Sequence, residues 1–326
     1  MKKSRYIFII FSFPFIVFIG AVYAVTDPVF DNSKDTISLQ VDKIQLFKAV
    51  EFLSSRNPSR NYLNTDVLDS VANYIRLNFL RNTKRVEEQN YLVGSKQYKN
   101  IIASFGPENA ERIIVGAHYD VCENQPGADD NASGVAGLLE LARLLKDNQE
   151  LLRYRIDLVA FTLEEPPFFR TDKMGSAVHA KMLADNKIKV KAMVSLEMIG
   201  YFSDQPKSQQ YPLGLLKLFY PTKGNYISVV GKMGQGGLVR KFKRNMRRGA
   251  SIEVRSINSP SFIVGIDFSD HLNYWQYGFE AIMITDTSFY RNGNYHEKTD
   301  TIQTLDFTRM AEVVKGVCYT LLNFSE

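Results

Sequence analysis

The chain has 326 residues, of which 45% are hydrophobic and 23% are charged, a composition typical of a globular protein and unlike that of a disordered or collagen-like chain. Two cysteines, Cys122 and Cys318, exclude a dense disulfide framework and a cysteine-rich structural zinc site, and leave open whether the two pair. The net charge of +5 includes a basic cluster over residues 240–248, which we interpret as a solvated helix face. We therefore expect no nucleic-acid partner.

The N-terminus combines basic residues with an uncharged apolar run over residues 6–25. Positive charge before such a run is typical of a signal peptide or of an N-terminal membrane anchor. The run has the length of a spanning helix, about 20 residues, whereas Val22-Tyr23-Ala24 offers small residues for signal-peptidase cleavage. Both alternatives stay open, and both predict an exported protein that is periplasmic, extracellular or membrane-anchored. We predict a leader or anchor over residues 1–27, a linker over 28–37 and a single domain over 38–326.

Along that domain, helical patterns come first and then alternate with short apolar runs. Apolar residues recur at helical spacing over 41–54 and 66–80. The predicted strands are 100–105, 112–118, 155–163, 190–198, 226–230, 252–257 and 281–285, and the predicted later helices are 132–146, 175–184, 238–248 and 305–324. This alternation predicts an α/β fold, a three-layer sandwich with a mostly parallel but mixed central sheet. Ligands of such sheets bind beyond the carboxyl ends of the strands.

Residues that can bind a metal ion gather after those strand ends. They are His118 and Asp120, then Asp130 ahead of a helix, then Glu164 and Glu165, then Glu197, and finally His296. Each of these residues alone is weak evidence for a metal site. A lone histidine on an apolar strand is more often a core residue, and an acidic pair before a helix is more often a cap. Together they predict a zinc site, since Zn²⁺ accepts imidazole and carboxylate ligands and a shared carboxylate can bridge two ions.

Five separate motifs resemble, in their order along the chain, those of the co-catalytic dizinc aminopeptidases. That family includes bacterial leucyl aminopeptidase, aminopeptidase Y, glutamate carboxypeptidase and, by divergence, the glutaminyl cyclases. The motifs are His118-Tyr119-Asp120, the segment from Gly127 to Gly134, Glu164-Glu165, the segment from Leu196 to Gly200, and Tyr295-His296. The resemblance spans roughly residues 98 to 326 and implies a zinc-exopeptidase-like fold, with residues 38–326 as the catalytic domain.

The resemblance also implies a ligand set for two Zn²⁺ ions per chain. Asp130 is expected to bridge the ions. His118 and Glu197 are expected to complete one site, and Glu165 and His296 the other. Many aminopeptidases of the family have Asp where Glu197 stands, but glutamate remains a competent ligand with a longer arm.

Further roles follow from the same resemblance. Glu164 is implied as the general base that takes a proton from a water held by both ions and gives it to the departing amine. Asp120 resembles the carboxylate that orients the metal-bound imidazole of His118. Ile266 stands where some members carry an oxyanion-stabilising tyrosine, and Tyr295 is a possible substitute donor.

Other residues near these motifs are interpreted as pocket walls or scaffold. The segment from Pro166 to Arg170, with Tyr290 and Trp275, could line a substrate pocket, although core packing is an equal alternative for Trp275. Residues 201–223 read as an inserted loop that could gate the site. We interpret Asp270-His271 as pocket scaffolding and His179 as structural.

The function predicted from the sequence is that of a zinc-dependent exopeptidase, an aminopeptidase acting on peptides. One alternative is a glutaminyl cyclase-like acyltransferase with one zinc ion, which is disfavoured because His118 and Glu197 are both present. The other is a catalytically inactive binding ectodomain, which is disfavoured because no ligand and no base is missing. Membrane attachment is assigned to residues 6–25 alone, and no oligomeric state is predicted.

Overall fold

A computed structural model describes residue 20 and residues 22–30, 33–34 and 39–325 of the chain. Most of the apolar run over residues 6–25 and part of the predicted linker over 28–37 lie outside the described residues, so both remain predictions. Within the described ranges, none of the helices is both long enough and apolar enough to cross a membrane.

The main helices begin and end close to the predicted positions. They are α1 Lys43–Ser54, α2 Thr65–Leu80, α3 Gly134–Asp147, α4 Gly175–Asp185, α5 Gly236–Gly249, α6 His271–Gln276 and α7 Phe307–Leu322. Two of them have side-chain caps, because the carboxylate of Asp42 accepts main-chain N–H groups at the start of α1 and that of Asp306 does so at the start of α7. The short helix α6 was missing from the sequence prediction.

The strands form one mixed sheet. They are β1 Val86–Val93, β2 Lys96–Phe105, β3 Arg112–His118, β4 Arg155–Phe161, β5 Val190–Glu197, β6 Tyr226–Lys232, β7 Glu253–Ser259 and β8 Ala281–Thr285. The order across the sheet is β1-β2-β4-β3-β5-β8-β6-β7. The strands β4, β3, β5 and β8 at its centre are parallel, while β1, β2 and the β6–β8 pairing are antiparallel. The predicted mixed, mostly parallel sheet is confirmed.

Helices cover both faces of this sheet. Side chains of β3 alternate between the faces, so that Ile113 and Val115 pack in the larger core with α1, α2, α3, α5 and α7. Ile114, between them, packs in a smaller core on the opposite face, which includes Leu183 of α4 and Tyr274 of α6. This arrangement is the predicted three-layer sandwich.

The segment that precedes the domain lies against α5. Lys243 of that helix is buried, and its Nζ donates to the main-chain oxygens of Thr26 at 2.9 Å and Asp27 at 3.0 Å. Lys34 in turn donates to the main-chain oxygen of Arg247 at 2.6 Å. The basic cluster is therefore not simply the solvated face that we expected from its sequence, because part of its charge holds the N-terminal segment.

Candidate metal centre

Neighbouring parallel strands bring the predicted ligands to one edge of the sheet. His118 is the last residue of β3 and Glu197 is the last residue of β5, and these strands are adjacent. Two residues next to ligand motifs, Leu163 and Met198, have positive φ angles of 59° and 50°. Such left-handed residues are uncommon and concentrate at functional sites. They turn the chain sharply where it leaves β4 and β5.

Two groups of ligand atoms meet at Asp130. Its Oδ1 lies 3.3 Å from Nε2 of His118, which in turn lies 3.4 Å from Oε2 of Glu197. Its Oδ2 lies 3.2 Å from Nε2 of His296, which is 3.1 Å from Oε2 of Glu165. The structure thus brings all five predicted ligands together, and each oxygen of Asp130 faces a different histidine.

The atoms at this centre suit divalent metal ions. Nε2 of His118 and Oε1 of Glu165 are buried without a hydrogen-bond partner, although buried polar atoms are normally paired. Burial raises the pKa of Glu165 to about 7 and that of Glu197 above its ordinary value, which shows the cost of keeping these carboxylates charged together. Two cations would offset that cost, and a set of imidazole and carboxylate donors is one that Zn²⁺ accepts.

Glu164 stands beside this group. Its Oε2 is 3.9 Å from Nε2 of His118, farther than the atoms of the ligand sets, and its side chain lines the adjoining pocket. Burial raises the pKa of Glu164 well above its ordinary value, an effect that the charge of His118 partly opposes. Glu165, the next residue, contacts the other histidine, so the two adjacent glutamates serve opposite sides of the centre.

Asp120 contacts the centre differently from the prediction. Nδ1 of His118 lies 3.2 Å from the main-chain oxygen of Asp120, whereas the nearest carboxylate oxygen is 3.7 Å away, too far for a hydrogen bond. The carboxylate instead accepts the main-chain N–H groups of Glu164 and Glu165, each at 3.2 Å. Asp120 therefore orients His118 through its backbone and fixes the glutamate pair through its side chain.

Two buried polar side chains that the sequence did not single out position residues of the predicted ligand set. Asp300 accepts the main-chain N–H groups of Asp129 at 2.9 Å and Asp130 at 3.0 Å, one on each carboxylate oxygen. Ser269 donates from Oγ to Oε2 of Glu197 at 2.7 Å. Ser269 directly precedes Asp270-His271, which the sequence analysis interpreted as pocket scaffolding, but no sequence pattern indicates Asp300.

Arg60 supports the loop that carries Asp130. Its guanidinium is fully buried and donates to main-chain oxygens of Tyr119 at 2.9 Å and Gly127 at 2.6 Å, and also to those of Leu53 and Pro126. Burial lowers its pKa to about 10, so it remains protonated at neutral pH. Sequence reasoning missed this residue because its partners are backbone carbonyls.

An apolar pocket of about 370 Å³ opens beside the centre. Glu164, Glu165, Glu197 and His296 line one end of it. The apolar walls include Phe169, Leu216, Val230, Ile257, Val264, Ile266, Phe268, Met283, Phe289 and Tyr290. Leu216 belongs to the inserted loop, which therefore contributes to the pocket as its position predicted.

Some of the residues that were predicted to line a substrate pocket do so and others do not. Phe169 and Tyr290 line the pocket, and so does Tyr295, whose ring stacks on that of His296 with centroids 3.9 Å apart. Trp275 does not line it, because its indole nitrogen donates to Gln235 and to a main-chain oxygen and its ring packs against His271. The core-packing alternative for Trp275 is thus the one observed.

An α/β sandwich whose central parallel strands end in a cluster of histidines and carboxylates defines a metal-dependent hydrolase. The sequence profile of Peptidase family M28 matches residues 100–321, more than half of the chain. The chain belongs to peptidase family M28. This membership confirms the predicted family resemblance and the predicted enzyme class, a metallo-exopeptidase that depends on zinc and acts on peptides.

Proteins of similar sequence are consistent with membership of peptidase family M28. The uncharacterized protein YfbL of Escherichia coli K12 is 45% identical, and the alignment covers 99% of this chain and 99% of that protein. A probable leucine aminopeptidase of Trichophyton verrucosum is 27% identical over 91% of this chain and 79% of its own length.

Solved structures share the fold at lower identity. LapB of Legionella pneumophila superposes with a TM-score of 0.69 at 23% identity, covering 87% of this chain and 72% of that one. A glutaminyl cyclase of Tannerella forsythia superposes with a TM-score of 0.66 at 20% identity, covering 87% of this chain and 99% of that one. These likenesses establish the α/β fold. They do not distinguish an aminopeptidase from a glutaminyl cyclase.

Proposed function

We propose that the protein is a dizinc aminopeptidase that removes N-terminal residues with large apolar side chains from peptides. The observation that carries the proposal is the position of Asp130, whose two oxygens lie 3.3 Å and 3.2 Å from two different histidines. One carboxylate shared in this way is what two neighbouring ions require. In this assignment His118 and Glu197 hold one ion, and Glu165 and His296 hold the other.

In the proposed mechanism, the chain's own residues position the substrate and move one proton. Bound zinc supplies Lewis acidity, which polarises the peptide carbonyl and brings the pKa of water towards neutrality. Glu164 accepts the proton of the attacking water on its carboxylate and passes it to the departing amine. Tyr295 lines the pocket, and we assign its hydroxyl as a donor to the developing oxyanion.

Charge in the pocket supports recognition of the amino end of a peptide. Among the described residues that line the pocket there is no lysine and no arginine, whereas Glu164, Glu165 and Glu197 lie at the metal end. A substrate α-carboxylate would find no basic side chain there, while a free α-amino group would meet carboxylates. The same charge pattern disfavours acidic side chains, and the aromatic and aliphatic walls favour large apolar ones.

Peptide hydrolysis tests this proposal in a form that separates the alternatives. We expect release of leucine or phenylalanine from peptides with a free N-terminus, no release from N-acetylated peptides, full release from C-amidated peptides, and loss of activity with a chelator. Release from N-blocked but not from C-blocked peptides would contradict the amino-end assignment. Cyclisation of an N-terminal glutamine with one zinc per chain would favour the glutaminyl cyclase alternative, and a metal-free inactive protein would favour the binding ectodomain.

The pocket assignment has its own test. Phe268→Ala removes an aromatic wall that contacts Phe169 and Phe289, with ring centroids 5.8 Å apart in each pair. Because burial of apolar side chains provides the preference, kcat/KM for leucyl substrates should fall about 10-fold or more while that for alanyl substrates changes less. Phe262→Ala is the control, since Phe262 is 82% exposed and does not line the pocket. Equal losses on both substrates would contradict the assignment.

We also propose that the N-terminal segment exports the protein, so that the catalytic domain lies outside the cytoplasm. The support is the basic N-terminus followed by the apolar run over residues 6–25. Cell fractionation together with N-terminal sequencing of the purified protein tests this and distinguishes cleavage from anchoring. Recovery of the uncleaved chain in the cytosol would contradict it.

A further inference from the structure

Cys122 lies beside the metal position assigned to Glu165 and His296. Its Sγ, a carboxylate oxygen of Glu165 and a ring nitrogen of His296 all lie within 4.8 Å of one another. Cys122 is half-buried and has no disulfide partner. It follows Asp120 by two residues on the loop after β3, the same loop that fixes the glutamate pair.

A second observation at the same place points to a ligand. Oε1 of Glu165 is buried and has no hydrogen-bond partner, and the residue is only 4% exposed. A buried carboxylate oxygen without a donor is costly unless a cation occupies the space that it faces. The sulfur of Cys122 therefore lies beside a buried carboxylate that has an oxygen without a hydrogen-bond partner.

The number of ligands differs between the two sides of the centre. On the His118 side the chain offers His118, Glu197 and the shared Asp130, which is the three-ligand set of a catalytic zinc ion with an open position. On the His296 side it offers Glu165, His296 and the shared Asp130, and the sulfur of Cys122 lies within 4.8 Å of ligand atoms of Glu165 and His296. Four protein ligands are typical of a closed zinc site, and thiolate is a preferred ligand of zinc.

We propose that Cys122 binds, as a thiolate, the metal ion held by Glu165 and His296. This inference rests on the metal centre of the proposed function and adds that its two positions are unequal. The His296 side is filled by protein ligands and retains its ion more tightly, whereas the His118 side keeps the open position that a substrate carbonyl needs.

Cobalt spectroscopy on the full chain tests the proposal without measuring activity. Metal-free protein is titrated with Co²⁺, bound cobalt is counted by elemental analysis, and the sulfur-to-cobalt charge-transfer band is recorded in the near ultraviolet. We expect the band in the wild-type protein and in Cys318→Ser, and its loss in Cys122→Ser. Cys318 is the matched control because it is buried in α7, away from the centre. Cys122→Ser should also lower the affinity for one of the bound metal ions by about 10–100-fold.

The outcomes separate this inference from the proposed function. Two bound cobalt ions without the band would overturn the role of Cys122 and leave the dizinc centre intact. A single bound ion with a band that Cys122→Ser abolishes would support the role of Cys122 and contradict the dizinc centre. Failure to bind cobalt would overturn both.

Alkylation of the wild-type protein covers the case in which Cys122→Ser does not fold. Bound zinc should protect Cys122 from iodoacetamide, and removal of zinc by a chelator should restore its reaction, as mass spectrometry of the peptides would show. Equal alkylation of Cys122 with and without zinc would overturn the proposal.

Discussion

The carboxylate of Asp300 accepts the main-chain N–H of Asp130 at 3.0 Å. Its other oxygen accepts the N–H of Asp129 at 2.9 Å. One side chain therefore holds the main chain at Asp130, whose own carboxylate lies between the two histidines. Burial raises the pKa of Asp300 to about 7, which shows that its position is costly and that the two hydrogen bonds only partly offset the cost. Asp300 is therefore a positioning residue for Asp130, the proposed bridging ligand.

Replacement of Asp300 should weaken metal binding without removing a ligand. We expect Asp300→Ala to lower zinc affinity by about 10–100-fold, the usual effect of removing a group that orients a ligand. Competition with a chelating dye measures the affinity. Asp204→Ala is the control, because Asp204 is an exposed carboxylate whose partners are Arg309 and Asn225. Unchanged zinc affinity in a folded Asp300→Ala protein would contradict the positioning role.

Replacement of Glu164 should separate catalysis from metal binding. Glu164→Gln keeps the size of the side chain but removes the proton acceptor, so kcat should fall by about 10²–10⁴-fold. Metal content should remain that of the wild type, because the carboxylate lies outside both ligand sets. The exposed Glu88→Gln serves as the control. A variant that loses zinc would show Glu164 to be a ligand, and a variant of full activity would refute its role as the base.

Arg60 should matter for folding more than for chemistry. Arg60→Ala leaves several buried carbonyl groups without a donor, at about 1–3 kcal/mol each, and we expect a loss of more than about 3 kcal/mol in the free energy of unfolding. Urea denaturation of the metal-free protein measures it. The control is Arg76→Ala, which removes a partly exposed ion pair with Glu88 and should change stability by less than about 1 kcal/mol. Equal losses in the two variants would contradict the account of Arg60.

His179 should make stability depend on pH. It is fully buried with Nδ1 2.6 Å from the hydroxyl of Tyr274, and burial lowers its pKa from 6.5 to about 4. The charge of Arg112 also lowers this pKa, and that of Asp157 opposes the change. Because the folded pKa is below the unfolded one, protonation favours the unfolded chain. The stability from a neutral His179 is thus complete above pH 6.5 and is lost as pH falls from 6.5 to about 4.

Comparison with His179→Gln isolates this contribution from that of other titrating groups. In metal-free protein, the wild type should lose stability relative to the variant by up to about 1.4 kcal/mol per pH unit across that range. Chemical denaturation at a series of pH values measures the difference. Parallel curves for the two proteins would contradict the assignment. Metal must be absent from both samples, since ligand protonation releases it in the same range.

The clustering of the five proposed metal ligands could be predicted from the sequence because each stands at a fixed place in a pattern. His118 and Glu197 follow continuous apolar runs, and parallel strands bring the ends of such runs to one edge of the sheet. The edge strand β1 was missed because its exposed sequence lacks a clear apolar face, and its side chains are at most half-buried.

The supporting residues could not be predicted in the same way. Arg60 and Asp300 act on main-chain carbonyl and N–H groups, which every residue has, so no residue type or spacing indicates the contact. The family resemblance implied that the carboxylate of Asp120 orients His118, but a difference of a few tenths of an ångström directs this carboxylate to the backbone of Glu164 and Glu165 instead. Distances of this kind depend on the packing of the whole loop.

The shared role of Asp130 is the central claim, and metal stoichiometry tests it most directly. Zinc is counted by elemental analysis after dialysis of the wild type, His118→Ala, His296→Ala and Asp130→Ala. We predict two ions in the wild type, one in each histidine variant because the other site keeps its ligands, and a loss of both ions in Asp130→Ala. One ion per wild-type chain, or an Asp130→Ala protein that still holds two, would contradict a bridged dizinc centre.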